Sequence, residues 1–536
     1  MKTIYYNGTV YTGAMPLVTA FAVEGDRFVF AGSDAQALAL RTGGDETVDL
    51  GGKFVCAGFN DSHMHLLGYG LSLLMPRLDQ HTDSLWGMIC YLREWADTKG
   101  PSGGWIVGRG WNQDFFTDAK RMPTRWDLDL VSTDYPVCVT RACGHILAVN
   151  SRAIELLGIT PDTPCPEGGE IGMDNGEVNG LFSDNAMDLV KKAIPEPDEA
   201  TLRDAIIAAC RSLNQYGVTS CQTDDYCSGD WKIINPIYRQ LEREGLLTVR
   251  VYEQSNFTST DHLQEFIDAG NNTGIGSDRF QIGPLKMLGD GALGPRTAFL
   301  SRPYADDPST AGLPVFTQQT FDEMIDLANR NGMQTAVHAI GDGCLDRVLS
   351  AMEKALTECP RDDHRHGIVH CQITRPDQLD KIAALKLHVY AQSIFLDYDS
   401  RIVADRVGKD LAQTSYRWKT LMDRGVTVSN GTDCPVEMPF ALGGIQCAVT
   451  RQSFSAPETP PFLPDEAFSV CEALDSYTKA GAFASFEESV KGQIAPGYLA
   501  DFTILGESPF ETAPDKIKDI PVLATYVGGQ MVYQAN

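Results

Sequence analysis

Two histidines two residues apart, His63 and His65 in 58-GFNDSHMHLLG-68, open the chemistry of this 536-residue chain. On extended backbone, side chains at i and i+2 point the same way, so both imidazoles can reach one ion. His338 in 335-TAVHAIGDG-343, His370 in 367-GIVHCQ-372 and Asp433 in 428-VSNGTDCP-435 each stand where an apolar run gives way to polar and glycine residues. Taken singly, each has an ordinary structural use, as a buried neutral imidazole or as an aspartate that caps a helix or forms a turn.

Lys286, in 284-PLKMLGDGALGPRTAFL-300, belongs with them because it ends another apolar run. A buried ammonium is costly unless it is paired, deprotonated or chemically altered. Pairing with Asp290 or Asp433 is one way out. The other is a neutral amine that adds carbon dioxide and becomes a carbamate, an anion with two oxygen donors able to bridge two ions. Imidazole and carboxylate donors suit zinc or a similar divalent ion, and ions with open positions generate hydroxide at neutral pH.

For these residues to meet, the ends of distant strands must be brought together. Strand patterns occur at 54–61, 218–223, 248–254, 280–287, 333–339, 367–371, 387–393 and 426–433, mostly separated by helical patterns such as 320–332 and 411–425. In 198-DEATLRDAIIAACRSLNQYG-217, Leu202, Ile206, Ala209 and Leu213 share a helical face, Asp198 is placed to cap the start and Gly217 to stop the end. Eight β-α units predict an α/β fold, a (β/α)8 TIM barrel whose chemistry gathers at the C-terminal ends of its strands. Residues 80–197, after strand 1, are too long for one crossover and predict an inserted lid or subdomain. Short alternating strands within 3–55, and again at 499–505, 521–527 and 530–534, predict a small β-sandwich built from both chain ends. The expected domains are 1–55 and 487–536 for the sandwich and 56–486 for the barrel, with 80–197 inserted.

Bulk properties exclude other classes. With 44 basic and 71 acidic side chains the net charge is -27, which repels polyanions and argues against a nucleic-acid partner. The 14 cysteines form no CxxC pair and no compact framework, as expected for reduced thiols in the cytoplasm. No run of about 18 apolar residues predicts a membrane span.

The ordered set His63, His65, Lys286, His338, His370 and Asp433, from strands 1, 4, 5, 6 and 8, resembles the amidohydrolase superfamily, whose pattern is HxH, carboxylated lysine, histidine, histidine and aspartate on those strands. The stretches GFNDSHMH, GRGWNQ, 145-HILAVNSRAI-154, 168-GGEIGMDNGEVNGLF-182, LKMLGDGALGPRTA, HAIGDG, IVHCQ, NGTDCPVE and 491-KGQIAPGYLADFTIL-505 look like its family 3, the branch holding N-substituted formamide deformylase. That resemblance spans nearly the whole chain. It implies one ion on His63, His65 and Asp433, a second on His338 and His370, and a Lys286 carbamate between them. It also places the insertion over the active site, which makes His145, Trp111 and Phe115 candidates for substrate contact, with Arg296 beyond Lys286 as a fourth.

The implied activity is hydrolysis of an amide or related carbon-nitrogen bond in a small molecule, with Asp433 as general base and acid. A deaminase of the superfamily would carry a glutamate three residues after the strand-5 histidine, whereas His338 is followed by Ala339, Ile340 and Gly341. Ester or lactone hydrolysis uses the same attack and stays open, as does a homodimeric assembly. A non-catalytic regulatory protein on the same fold would be expected to have lost ligands, and all six positions are filled.

Overall fold

The computed structural model describes residues 1–535 apart from 82, 102, 143, 144 and 167. The chain divides into two compact units, Met1–Gly68 with Ala209–Asn536, and Tyr69–Ala208.

The larger unit is built around eight strands: β1 (Phe59–Met64), β2 (Val218–Thr223), β3 (Arg250–Asn256), β4 (Phe280–Leu288), β5 (Thr335–Ala339), β6 (Gly367–His370), β7 (His388–Ala391) and β8 (Val428–Asn430). They pair in chain order, each parallel to the next. The ring closes just past the strand ends, where Asp433 N donates to His63 O (2.8 Å) and His65 N donates to Cys434 O (2.7 Å). Gly431 sits in that closure because a Cβ there would lie 2.5 Å from the His63 nitrogen.

Helices connect the strands as the periodicity predicts. Glu199–Gln215 buries Leu202, Ile206, Ala209 and Leu213, and Asp198 Oδ1 accepts from Thr201 N at its start. The left-handed backbone of Gly217 (φ +78°) ends it.

The expected first strand, 54–61, is two strands. Phe54–Ala57 pairs antiparallel with Phe502–Leu505, whereas Phe59–Met64 pairs with β2. The backbone changes partner at Gly58, whose amide donates to Asp501 O, while Phe59 N donates to Gly217 O. An unbroken apolar run conceals such a switch, because residues on both sides of it are buried.

Strands from both chain ends make two further sheets. One orders Arg27–Gly32, Ala20–Glu24, Lys2–Tyr6 and Glu46–Asp49, and the other Thr9–Val10, Phe54–Ala57, Phe502–Leu505, Val522–Val527 and Gln530–Gln534. A single apolar cluster holding Tyr5, Phe21, Phe28, Val55 and Phe502 draws on both. A buried ion pair ties the second sheet to the barrel, with Arg250 of β3 meeting both Asp501 oxygens at 2.6 and 3.0 Å.

The smaller unit carries its own five-stranded sheet, ordered Gly169–Asp174, Glu177–Asp184, Ile146–Val149, Val137–Arg141 and Ile106–Trp111. Two apolar clusters fill it, one around Leu92, Trp111 and Phe116, the other around Trp105, Leu147 and Phe182. Among the described residues, no helix is long and apolar enough to cross a membrane.

Candidate metal centre

His63 and His65 project from the end of β1, and Asp433 follows β8 in a left-handed conformation (φ +57°). One ligand-type atom from each lies within 4.8 Å of the other two. His65 Nε2 is 3.1 Å and His63 Nε2 3.4 Å from Asp433 Oδ1. Asp61 clamps the same seam, its carboxylate accepting from Thr432 N (2.9 Å) and the Thr432 hydroxyl, and burial pushes its own pKa up to about 7.

The far nitrogens of these rings fix their tautomers. His63 Nδ1 is 2.7 Å from Gln254 Oε1, and Gln254 spends its Nε2 on Ser62 O, so the imidazole must be the donor. His65 Nδ1 is 3.0 Å from the carbonyl of Asp224. Both Nε2 atoms are therefore left with lone pairs facing a carboxylate oxygen, and that oxygen is buried without a partner in hydrogen-bond geometry. Negative groups gathered this way require a cation. A divalent ion meets that need, and so does a proton. Burial opposes charge on His65, yet the carboxylate of Asp433 beside it raises its pKa well above the usual value. Burial likewise opposes ionisation of Asp433, but His65, His63 and His370 together hold it below the carboxylate range.

His338 and His370 form the neighbouring pair, with ring centroids 4.4 Å apart, and His370 lies 5.6 Å from His63. His370 Nδ1 meets Gln392 Oε1 at 2.7 Å, again leaving Nε2 as the open nitrogen. His338 is turned the other way, with Nε2 3.1 Å from Gly291 O, so Nδ1 is its open nitrogen. The His370 backbone is also left-handed (φ +75°), a conformation that costs of order 1–3 kcal/mol and clusters at functional sites. Burial first, then the charge of a neighbour, lowers the pKa of both His63 and His370, keeping them neutral and able to ligate.

Lys286 is buried at the end of β4, as its apolar surroundings predict, but its partner is neither Asp290 nor Asp433. Its Nζ lies 3.5 Å from Asp224 Oδ2. Asp290 instead accepts from the amides of Phe299, Ile340 and Gly341, holding the turn beside His338.

Sequence reading missed Asp224, Gln254 and Gln392. Asp224 is buried, its Oδ1 has no hydrogen-bond partner, and with His65 and Cys227 it makes a second group of converging ligand atoms. Its position at the end of the second strand pattern, in 222-QTDDY-226, was the available signal.

The remaining candidates are placed differently. Arg296 forms a two-pronged ion pair with Asp306 (3.0 and 2.8 Å), which Arg406 shares. In the smaller unit Trp111 is buried in a core cluster and donates to Val139 O, His145 pairs with Asp184 at 3.1 Å, and Phe115 is 64% exposed. Cys143 and Gly144, just before His145, lie outside the described residues.

Comparison with known proteins gives the family. A profile described as the amidohydrolase family matches residues 46–533. YtcJ of Bacillus subtilis is 33% identical over 541 residues, covering all of both chains. The N-substituted formamide deformylase of Arthrobacter pascens is 26% identical, over 96% of this chain and 95% of that one. An uncharacterized metal-dependent hydrolase from Pyrococcus furiosus, known as a crystal structure, superimposes with a TM-score of 0.79 and 31% identity, covering 95% of this chain and all of its own. This chain is a member of the amidohydrolase family, in its family 3.

Proposed function

We propose that the chain is a metal-dependent hydrolase that cleaves the carbon-nitrogen bond of a small N-formyl or N-acyl amine. The observation that carries the metal is Asp433 Oδ1, buried, without a hydrogen-bond partner and faced by two lone-pair nitrogens. Likeness to the Arthrobacter deformylase supports the bond type, and likeness to the Pyrococcus hydrolase supports the metal.

In this reading His63, His65 and Asp433 would hold one ion and His338 and His370 a second, with Lys286, carboxylated on Nζ, as a further ligand. Zinc suits the donor set. When bound, the ions acidify water and polarise the substrate carbonyl. The chain supplies proton handling and position. Asp433, ionised in its buried setting, accepts the proton of the attacking water and delivers it to the leaving nitrogen. Gln254, Gln392 and the Gly291 carbonyl keep each ring turned so that its open nitrogen serves as ligand. Of the substrate-contact candidates, His145 and Phe115 are kept, both exposed in their own unit.

The same reading takes 56–486 as the barrel domain with 80–197 inserted, and 1–55 with 487–536 as a sandwich. It places the protein in the cytoplasm, in keeping with free thiols at the described cysteines.

Metal analysis of the purified protein, followed by assay of native and chelator-treated enzyme on N-formyl amines, N-acyl amines, esters and lactones, tests the proposal. Expected are bound divalent metal and chelator-sensitive amide hydrolysis. Metal-free protein that is inert throughout would overturn it, and turnover of lactones alone would redirect it.

A further inference from the structure

We propose that a cavity beside Lys286 takes a flat aromatic substituent carried on the substrate nitrogen. This rests on the hydrolase reading above. The cavity, of about 340 Å³, is lined by Tyr226, Trp231, Asn256 and Phe257, with His262 and Glu265 at its rim. That volume lies within the range of about 300–1,000 Å³ common for small-molecule pockets.

Its floor is bonded to the candidate metal centre. Asn256 Nδ2 donates to Asp224 Oδ2 (2.9 Å), the oxygen that faces Lys286 Nζ at 3.5 Å. Asn256 is also the register partner of Lys286 across β3 and β4, and Phe257 N donates to Lys286 O at 3.4 Å. The segment 224-DDYCSGDWK-232 runs from Asp224 at the centre to Trp231 and Lys232 at the cavity. A larger cavity of about 460 Å³, around Arg417 and Pro460–Pro464, includes none of the candidate ligands or their hydrogen-bond partners.

The lining selects for an aromatic guest. Phe266 backs the wall, 4.9 Å from Phe257, 5.9 Å from Tyr226 and 5.2 Å edge-on from Trp231. The Tyr226 hydroxyl is committed to Asn235 Oδ1 (2.7 Å), which fixes its ring and leaves the phenyl surface as its contribution. Offset and edge-to-face contacts with such rings favour another ring over an alkyl chain of similar area. Lys232 and Glu265 neutralise each other at 2.6 Å, and Asp230, also in the lining, accepts from Lys232 N at the start of the helix (2.8 Å). For an N-formyl substrate, whose acyl side carries only hydrogen, nitrogen is the position for the ring.

Trp231 is half-buried at the start of its helix, so Trp231→Ala removes the wall without emptying a core, and Trp231→Phe restores a ring. KM and kcat for N-phenylformamide and N-methylformamide are measured with wild type and both variants, and aniline binding is measured separately by ligand-observed NMR. Expected for Trp231→Ala is a rise of about tenfold in KM for the phenyl substrate and in the aniline Kd, with N-methylformamide KM within about twofold. Trp231→Phe is expected to recover most of the loss. Equal changes for both substrates, or unchanged aniline binding, would overturn the cavity assignment. If wild type hydrolyses neither formamide, N-formyl amines are removed from the proposed substrates, and the aniline arm alone decides whether the cavity binds rings.

Discussion

His63 and Asp433 are joined twice: the His63 carbonyl accepts from the Asp433 amide at 2.8 Å, and the His63 Nε2 lies 3.4 Å from Asp433 Oδ1. The first contact closes the barrel between its first and last strands, and the second assembles the candidate metal centre. Closure and ligand geometry are therefore one event. A chain that fails to bring β8 back to β1 cannot assemble His63, His65 and Asp433, so metal binding at that group should report on complete folding.

Asp433→Asn tests the proton-transfer role. The amide keeps the size and one oxygen of the carboxylate but cannot hold a proton at working pH. We expect kcat to fall by about 10²–10⁴-fold, with the protein still folded and metal content reduced but measurable. Turnover rate and metal content measured on one preparation separate the two effects, and an unchanged kcat would remove Asp433 from proton transfer.

The candidate ligands stood out in sequence because HxH, the lone lysine and the isolated histidines each ended an apolar run, and a parallel barrel collects strand ends in one place. Their supports were not. Gln254 and Gln392 lie inside strand-like stretches where a polar residue reads as a surface position, and only the closed barrel shows that they face a histidine ring. Lys286 meets Asp224, 62 residues away, across β3, a pairing that sequence spacing cannot supply. Trp111 is buried in the core of the smaller unit, where an aromatic of an insertion fits as readily as in a pocket.

Lys286→Ala should strip or weaken metal binding and abolish hydrolysis. Small carboxylic acids added to the variant should restore part of the metal content if a carbamate is the bridging group. Metal content and activity equal to wild type would make the lysine structural.

Gln254→Ala removes the acceptor for His63 Nδ1 and leaves that ring free to turn or change tautomer. Metal affinity should fall by about 10–100-fold, read by competition with a chelating dye. Gln254→Glu, which keeps an acceptor oxygen, should lose less. Gln392→Ala should weaken the ion held with His370 instead, so two-site metal titrations of the two variants should differ in which step is lost. Identical titrations would mean that the glutamines stabilise the barrel without serving particular ligands.

Acid stability should be governed in part by histidines away from the metal centre. His388 and His366 are buried, and His366 accepts from Thr335 N on Nδ1 while its Nε2 faces Asn329 Oδ1, a neutral tautomer fixed on both sides. Burial, then the charge of Arg365, lowers the His388 pKa to about 3, and burial, then His364, lowers that of His366. A histidine whose folded pKa lies below its unfolded value of about 6.5 takes up its proton on unfolding. Between about pH 6.5 and pH 3 the unfolded chain thus binds more protons, and stability is lost as pH is lowered, by as much as about 1.4 kcal/mol per pH unit for each such group. Above about pH 6.5 this contribution is fully retained. Urea unfolding of chelator-treated protein from pH 7.5 to 5 reads the slope without the metal, and His388→Phe should reduce it by close to one proton; an unchanged slope would mean that His388 titrates normally in the folded chain.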